Sequence, residues 1–437
     1  MNLWTESPDT LLTAMRDAGL RRAYLVTDAD SGELRASHAL LKPVAELVAA
    51  DGRDYHAHQG AFFEVGADSD HLLGAFVHLT RRGQAAGGVR YWSYDTLEDY
   101  VRDGLRLARG MGHKCALAGL WWGGGKGVVA RRQDRDHRDP TLREQLYRDY
   151  GRFISGLRGC YITAEDVGTT PADMANVFST TRHTTCIPAS YGGSGNPSLL
   201  TATGVVVAME AALASLGLGT LEGKTVAMQG MGNVSLYMVG DLLERRVGKI
   251  VGADLSPDAL EQVRQRYPTA PLDLRAVERG DDSILGESCD VLAPNATGAV
   301  LDSTSIPTVA AKVVCGAANN QLAETGRDAR ALQERGVLYV PDFLANRMGI
   351  VNCANEQYGV IPEDPSVNAH LDREVPHGIF RRTLEIIERA KQRGSTPAEE
   401  AEVLADELSQ ELHPLWGNRG QVIIDALVRT GWAEERR

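Results

Sequence analysis

The sequence predicts an α/β protein of two domains, the second built on a doubly wound parallel sheet. The chain has 437 residues, which is too long for one ordinary domain and long enough for two cores. Beyond about residue 200, strand-like and helical segments alternate, a pattern typical of a parallel sheet covered by helices. Three glycines and a proline between Ser190 and Pro197 precede this region and predict an inter-domain hinge.

The elements of the first half follow from local patterns. Residues 1–55 contain two weakly helical stretches and no motif that we can assign. The run from Leu72 to Leu79 predicts a strand, and apolar positions at helical spacing predict a helix after it (Leu97, Val101, Leu105, Ala108 and Met111). A second helix is predicted from about Pro140 to Leu157. We therefore expect a first domain over residues 1–195 and a second over residues 196–375.

The remaining elements belong to the second half and the end of the chain. A long apolar helix is predicted around 203–216, before the alternating strands and helices. Two helices, at about 376–392 and 397–412, are expected to return to the first domain, which residues 376–437 would complete. The segment Trp416-Gly417-Asn418-Arg419-Gly420 interrupts a last helix.

Composition excludes several classes of function. A formal net charge of -12 without a long Lys/Arg cluster argues against a nucleic-acid partner. We find no apolar run that approaches a membrane span, and residues 1–7 lack the basic and apolar parts of a signal peptide, so we expect a cytoplasmic protein. The six cysteines are scattered, which favours reduced thiols, and neither they nor the histidines show the spacing of a metal site.

A glycine-rich turn opens the predicted parallel sheet. The segment from Thr225 to Ser235 contains a strand, the turn Gly230-Met231-Gly232-Asn233-Val234 and the start of a helix. Gly230 allows the tight turn, and Gly232 lets backbone amides approach a pyrophosphate at the helix N-terminus. Asp254 follows 24 positions after Gly230, close to the ~20 expected for a carboxylate that binds ribose hydroxyls.

This context predicts a Rossmann-like domain that binds NAD. NAD is favoured over NADP because Asp254 would repel a 2′-phosphate. The alternative is that Asp254 is a capping acid for the helix that begins near Ser256-Pro257. Because ligands bind at the carboxyl ends of parallel strands, we expect cofactor contacts in the glycine turn and at the ends of later strands (Gly230, Gly232, Asn233, Val234, Asp254, Asn295, Ala317 and Asn319).

Two lysines in an apolar, glycine-rich stretch indicate a closed chemical site. Lys114 and Lys126 lie twelve residues apart with no other charge between them. Burial and a neighbouring cation both lower the pKa of a lysine, which is how an amine becomes a base near neutral pH. The alternative is that both are ordinary surface lysines on a turn.

An acidic segment follows, and with it the chain resembles a known family. In Tyr161–Met174 a predicted strand leads through Asp166 to a helix start at Thr170-Pro171. Together with the lysines, this segment resembles the Glu/Leu/Phe/Val amino-acid dehydrogenases, most closely the leucine dehydrogenase branch. The likeness extends from about Gly87 to Glu356 and includes further motifs (Gly87-Gly88-Val89-Arg90, Ser194-Gly195-Asn196-Pro197-Ser198, Gly230-Met231-Gly232-Asn233-Val234, Asn319-Asn320-Gln321-Leu322 and Pro341-Asp342-Phe343).

The resemblance implies reversible, NAD-dependent oxidative deamination of an L-amino acid to its 2-oxo acid and ammonia by a homo-oligomer. It makes Lys126 the base and Asp166 a proton carrier that stabilises the cationic iminium left after hydride transfer. Lys114 would anchor the substrate carboxylate, the Gly87 carbonyl would be a second polar contact, and Asn320 would face the substrate or the nicotinamide. The cleft is expected to close around the iminium, with the hinge from Ser190 to Pro197 as the moving part.

The resemblance also locates the pocket for the substrate side chain. Its positions are Ala86, Ala164, Ile350 and Cys353, which are small to medium and apolar and favour an aliphatic or aromatic amino acid. At two places near these positions the sequence differs from the family pattern. Arg347-Met348 replaces the family's Ala-Gly, so that Arg347 would bind an acidic group, stack on the cofactor or point to solvent. Trp121-Trp122 replaces smaller residues, and core or interface positions are favoured over a pocket wall.

Two other functions remain open from the sequence. One is a reductase of the same fold that acts on an imine or keto group in a specialised pathway without free ammonia, for which Arg347 and Met348 leave room. The other is a ligand-binding protein without turnover. The presence of Lys114, Lys126 and Asp166 together argues against the second.

Overall fold

A computed structural model describes residues 2–357 and 359–434. Met1, Tyr358 and residues 435–437 fall within the predicted domain spans but lie outside the described residues. Two sheets organise the described chain, one of seven strands and one of six. Both are accompanied by helices, so the predicted α/β class with two separate sheets is confirmed.

The first sheet has the order β2-β1-β3-β4-β6-β5-β7. Strand β5 runs parallel to its neighbours β6 and β7, whereas the remaining pairs are antiparallel. This brings the carboxyl ends of β5, β6 and β7 to one edge. The strands are β1 (Arg22–Thr27), β2 (Leu34–Ala36), β3 (Gly60–Val65), β4 (Leu72–Val77), β5 (Ala85–Trp92), β6 (Gly123–Ala130) and β7 (Tyr161–Glu165).

The second sheet is parallel throughout and has the order β10-β9-β8-β11-β12-β13. From β8 the chain adds β9 and β10 on one side of the sheet. It then crosses back and adds β11, β12 and β13 on the other side of β8. The crevice between the carboxyl ends of β8 and β11 is therefore the point where such sheets bind ligands. The strands are β8 (Thr225–Gln229), β9 (Lys249–Asp254), β10 (Leu272–Ala276), β11 (Val291–Pro294), β12 (Val313–Val314) and β13 (Leu338–Tyr339).

Fifteen α-helices pack on these sheets within the described residues. The bounds of the first eight are α1 (Pro8–Asp17), α2 (Lys42–Ala49), α3 (Leu97–Leu117), α4 (Pro140–Gly156), α5 (Pro171–Phe178), α6 (Ser198–Ser215), α7 (Asn233–Glu244) and α8 (Pro257–Arg266). Those of the others are α9 (Thr325–Glu334), α10 (Asp342–Ala345), α11 (Met348–Glu356), α12 (Pro365–Asn368), α13 (Ile379–Arg393), α14 (Pro397–Ser409) and α15 (Arg419–Arg429).

The C-terminal helices connect the two halves. Helix α14 packs on α3, where Asp406 accepts hydrogen bonds from Arg109 and His113. Helix α15 contributes Ile424 and Leu427 to a core beneath the first sheet. Helix α13 packs against both α14 and α6 and thus also contacts the second half. The last helix begins at Arg419, directly after the Trp416-Gly417 turn that was expected to interrupt it.

Two sequence expectations about the first half and α6 require correction. Residues 1–55 contain not only α1 and α2 but also β1 and β2, short strands whose weak alternation did not reveal them. Helix α6 is long and apolar enough to cross a membrane by length and composition, contrary to the expectation that no run approaches a span. In the fold 67% of it is buried inside the protein, which is the environment of a core helix.

Arg347 does not lie beside the cleft, and the three roles considered for it are wrong. Its guanidinium is fully buried. Nη1 donates to the carbonyl of Leu117 at 2.5 Å, at the end of α3, and Nη2 donates to the carbonyl of His377. Burial, with a smaller contribution from Arg382, lowers the pKa of Arg347 to about 9. Met348 is also fully buried, in the core around α6.

The two tryptophans have different environments. Trp122 is buried in the core under the first sheet, as favoured from the sequence. Trp121 is 41% exposed, with the Arg82 guanidinium 4.4 Å from its ring and His413 in edge contact. Neither is a pocket wall.

We predict that Arg347→Ala lowers the free energy of unfolding by about 3 kcal/mol, because two buried carbonyls lose a charged donor and a cavity forms. Urea denaturation measures this change. Arg148→Ala is the control, since its guanidinium is exposed and lies 3.1 Å from Glu144 on the same helix. The ranking of substrates should not change in Arg347→Ala, and a changed ranking would show that this guanidinium reaches the substrate.

Candidate functional site

One cleft of about 1140 Å³ receives residues from both halves of the protein. Lys114, Lys126 and Asp166 line it from the first half, and Asn319 and Asn320 line it from the second. The cleft lies where the carboxyl ends of the parallel strands of both sheets face each other. The structure thus brings the two lysines, the aspartate and the two asparagines into one site.

A short ion pair is the chemical centre of the cleft. Lys126 Nζ lies 2.6 Å from Asp166 Oδ2, and the lysine side chain is buried. Burial alone would raise the pKa of Asp166, but the cations of Lys126 and Arg90 lower it to about 2. Asp166 is therefore a carboxylate at neutral pH.

Arg90 and the start of α5 hold Asp166 in place. Arg90 Nε lies 3.3 Å from Asp166 Oδ2, while Nη1 donates to both oxygens of Asp103. The backbone N–H of Asp166 donates to Thr169 Oγ1 at 2.8 Å. Helix α5 begins as predicted at Thr170-Pro171, with a capping box between Thr170 and Asp173.

Lys114 lies in the last turn of α3, so it is not on a turn as the alternative assumed. Its Nζ donates to Asn319 Oδ1 at 3.3 Å, across the cleft. Burial lowers the pKa of Lys114, Asp342 counteracts this, and Lys126 lowers it further. The expected mutual repulsion of the two lysines is thus present.

Asp342 holds the backbone of the segment that carries Asn319 and Asn320. Its Oδ2 accepts the backbone N–H of Asn320 at 2.8 Å, and its Oδ1 accepts the hydroxyl of Tyr339 at 3.3 Å. Asn320 has a left-handed backbone (φ +53°) that this contact helps to hold, and its exposed side chain lines the cleft. Asn346 donates to Asn319 Oδ1 at 2.9 Å and to the carbonyl of Ala317 at 3.0 Å. Apart from its place beside Arg347-Met348, no sequence pattern pointed to Asn346.

The glycine turn after β8 has the form that a dinucleotide requires. Gly230 has φ +92°, and a Cβ there would lie 2.7 Å from Ala296 Cβ. A Cβ on Gly232 would meet no atom within 4 Å, so the start of α7 is open to a ligand. Ser235 replaces the usual third small residue and donates to the carbonyl of Gly230 at 2.6 Å. Asn295 donates to Ser235 Oγ and accepts the backbone N–H of Ala317 at 2.7 Å, joining β11 to this turn and to β12.

Asp254 lies at the end of β9 with two backbone partners. Its Oδ2 accepts the N–H of Met231 at 2.6 Å, and its Oδ1 accepts the N–H of Ser256 at 2.7 Å. Ser256, not Asp254, is the residue that caps α8. Asp254 is therefore held directly against the glycine turn.

Three of the four expected side-chain pocket positions line the cleft together. Ala164, Ile350 and Cys353 are buried there, joined by Cys186, which the sequence did not single out. Ala86 does not line it, and neither does Gly87, whose carbonyl accepts the hydroxyl of Tyr161 at 2.6 Å. The next residue, Gly88, lines the cleft instead.

Glu356 is a further residue that sequence reasoning missed. Its carboxylate accepts the backbone N–H groups of Cys186, Ile187 and Ser194, at 2.8, 3.1 and 3.0 Å. All three lie in the loop before α6, and Ser194 belongs to the part of it, from Ser190 to Pro197, that was predicted as a hinge. A lone acid at the end of an apolar helix carries no signal of this role. The motion of the hinge stays a prediction.

Models of one protein family match most of the chain. The family model described as "Glu/Leu/Phe/Val dehydrogenase, dimerisation domain" matches residues 71–183. The model described as "Glutamate/Leucine/Phenylalanine/Valine dehydrogenase" matches residues 192–256 and 258–407. The two matched ranges include Lys114, Lys126 and Asp166 of the cleft and all strands of the second sheet.

Individual relatives are similar over most of their length. Leucine dehydrogenase of Bacillus subtilis is 41% identical over 336 residues, which cover 77% of this chain and 85% of the relative. Valine dehydrogenase of Streptomyces coelicolor is 37% identical over 365 residues, covering 82% and 95%. The crystal structure of L-tryptophan dehydrogenase from Nostoc punctiforme is similar with a TM-score of 0.66 and 30% identity, covering 80% of this chain and 96% of that one. The chain therefore belongs to the Glu/Leu/Phe/Val dehydrogenase family.

Proposed function

We propose that this protein catalyses the NAD-dependent oxidative deamination of an apolar L-amino acid to its 2-oxo acid and ammonia, and the reverse reductive amination. The observation that carries the proposal is the Lys126–Asp166 pair, at 2.6 Å, in the same cleft as Lys114 and next to an open glycine turn. The leucine and valine dehydrogenases to which the chain is similar support it.

The residues around the glycine turn fit NAD. The space at Gly232 and the N-terminus of α7 suit a pyrophosphate, because free backbone N–H groups and the helix dipole favour an anion. Asp254, beside this turn, suits the ribose hydroxyls and opposes a 2′-phosphate. We assign the cofactor to Gly230, Gly232, Asn233, Val234, Asp254, Asn295, Ala317 and Asn319. When bound, NAD⁺ accepts the hydride from the substrate α-carbon.

Lys114 and the pocket orient the substrate. An ammonium group that spans the cleft to Asn319 suits the substrate carboxylate, and Asn320 beside it suits the same group or the amide of the cofactor. Ala164, Ile350, Cys353 and Cys186 offer a neutral, apolar surface that favours an aliphatic or aromatic side chain over a charged one. Because Arg347 points away, the cleft contains no cation from that segment.

Lys126 and Asp166 handle the protons. Lys126 Nζ accepts a proton from the substrate amine or from the attacking water, and Asp166 receives or returns it across their contact. Because the pKa of Asp166 is about 2, it holds a proton only transiently, and its carboxylate stabilises the iminium cation. Collapse of the carbinolamine then releases ammonia.

We further infer a homo-oligomer in the cytoplasm whose partners are small molecules, without nucleic acid or membrane. The match of residues 71–183 to a dimerisation domain supports the oligomer. We also assign residues 1–195, with about 376–437, to the substrate and oligomerisation domain, and residues 196–375 to the NAD domain.

The function is tested by following NADH consumption with a panel of 2-oxo acids, with and without ammonium. We expect turnover of branched-chain or aromatic 2-oxo acids that requires ammonium, and weaker use of NADPH because of Asp254. Turnover without ammonium would instead support the imine or keto reductase. No turnover of any substrate, with NADH still bound, would indicate a ligand-binding protein.

Lys126→Ala should lower kcat by about 100-fold or more while NADH binding stays nearly unchanged, because the base acts in the chemical step outside the dinucleotide turn. Steady-state kinetics and fluorescence titration with NADH measure the two effects. Lys224→Ala, at a partly exposed lysine near Asp290, is the control. Near-normal turnover in Lys126→Ala would make the proposed mechanism wrong.

Two glycine variants separate cofactor approach from backbone strain. Gly232→Ala should keep the stability of the parent within about 0.5 kcal/mol but weaken NADH binding about 10-fold or more, since its methyl group occupies the approach of the pyrophosphate. Gly230→Ala should lower stability by about 1–2 kcal/mol, because its φ is positive and Ala296 is in the way. Unchanged NADH affinity in Gly232→Ala would contradict the assigned position of the pyrophosphate.

A further inference from the structure

A second cleft, of about 610 Å³, lies at the opposite end of the parallel strands from the first. Gln84 lines it immediately before β5 begins, and Arg158 lines it three residues before β7 begins. The Lys126–Asp166 pair, by contrast, faces the carboxyl edge of these strands. The second cleft therefore shares no lining residue with the site described above.

Three arginines from separate chain segments converge on this cleft. Arg158 follows α4, Arg182 follows α5, and Arg419 starts α15. Within the described part of the chain, none of the three has a carboxylate within ion-pair distance, and no acidic residue lines the cleft. Arg152, six residues before Arg158, shows the usual arrangement, with Asp149 and Asp68 each at 2.5 Å. All three side chains are exposed, and the Arg419 guanidinium lies 5.4 Å from the Trp416 ring. In a chain of net charge -12, this group of arginines without carboxylate partners is a local reversal of charge.

Two of these arginines share the cleft with a histidine, His183. Burial lowers the pKa of His183, and the charges of Arg182 and Arg419 lower it further. His183 lines the same cleft as both guanidinium groups. An anion bound in this cleft would be attracted by both cations.

The wall of the cleft is held rigidly. Arg158 has φ +54°, the left-handed conformation with which the chain commonly leaves a helix, here at the end of α4. Gln84 Nε2 donates to the carbonyl of Gly159 at 2.5 Å, and Ser155 Oγ donates to the carbonyl of Thr180 at 2.9 Å. Gln84 and Ser155 thus hold this wall through backbone acceptors, whereas the three guanidinium groups have no carboxylate partner among the described residues and can bind a ligand.

We infer that this cleft binds a phosphorylated small molecule with two or more phosphate groups, such as a nucleoside diphosphate or triphosphate. A guanidinium fork matches the oxygen geometry of a phosphate, and three of them suit several negative charges. The volume is within the range of sites for small organic ligands and exceeds what a single phosphate needs.

This ligand site is connected to the first cleft by one short segment. The carbonyl of His183 accepts the N–H of Thr163 on β7 at 3.0 Å, and the N–H of Thr185 donates to the carbonyl of Thr163 at 2.9 Å. The chain then reaches Cys186 in the wall of the substrate pocket. A ligand on Arg182 and His183 thus binds three residues away from the pocket that contacts the substrate side chain.

Isothermal titration calorimetry with pyrophosphate, ADP and ATP tests the inference, with NADH present at saturation so that the dinucleotide turn is filled. We expect one further site per chain for these ligands and weaker binding of inorganic phosphate. Arg158→Ala/Arg182→Ala should weaken the binding about 10-fold or more, since charge-assisted hydrogen bonds are lost. The control Arg279→Ala/Arg429→Ala removes the same charge from two exposed arginines elsewhere and should bind like the parent.

Three results would overturn the inference. The first is that the parent protein shows no further site, and the second is that both double variants bind the ligands equally well. The third is that the parent binds no ligand while Arg158→Ala/Arg182→Ala changes the mass of the oligomer, which would identify the cleft as a subunit contact. Arg158→Lys/Arg182→Lys retains the charge and should lose part of the affinity, so it replaces the alanine variant if that variant does not fold. Basal turnover with NADH should persist in all these variants, and the proposed dehydrogenase function stands or fails separately.

Discussion

The contact between Lys126 and Asp166 is the constraint around which the cleft is built. It joins β6 to the end of β7 across the intervening strand β5, and the lysine side chain is buried. A buried ion pair costs desolvation energy that its own attraction repays only when further hydrogen bonds complete it. Arg90 does this by bonding Asp166 and Asp103 together, and Tyr94 donates to Asp103 at 2.7 Å.

The opposite wall depends on one segment, residues 342–356, whose polar side chains bind backbone groups of other segments. Asp342 and Asn346 hold the loop that carries Asn319 and Asn320. Glu356 holds the loop before α6, and Arg347 holds the end of α3, the helix of Lys114. Ile350 and Cys353 lie between Arg347 and Glu356 in the chain, and both line the cleft. Ile350 and Cys353, which we propose as contacts of the substrate side chain, are therefore positioned by the same segment that holds these loops and the end of α3.

The two clefts differ in how their cations are compensated. Lys126 has Asp166 in contact, and Asp342 partly offsets the burial of Lys114. In the second cleft, Arg158, Arg182 and Arg419 have no described acidic partner. Compensated cations suit a site where protons move and charge develops transiently, whereas uncompensated ones suit a ligand that brings its own negative charge.

Local patterns were sufficient for the elements that carry strong periodicity or distinctive turns. The helix of Lys114, the capped start of α5 and the strand, turn and helix at Gly230 all follow from residues close together in the chain. The strands β1 and β2 did not, because three to six residues with a mixed pattern become strands only when a neighbour pairs with them.

The sequence by itself determined the family, the α/β class and the central polar residues of the cleft, Lys114, Lys126 and Asp166, because these are encoded in ordered local motifs. Tertiary structure alone decided where long polar side chains point. Arg347 stands between Asn346 and Gly349, which line the cleft, yet it turns inward to two carbonyls that lie 230 and 30 positions away in the chain. Such partners are invisible to any local pattern, since a buried guanidinium follows the acceptors that packing brings to it.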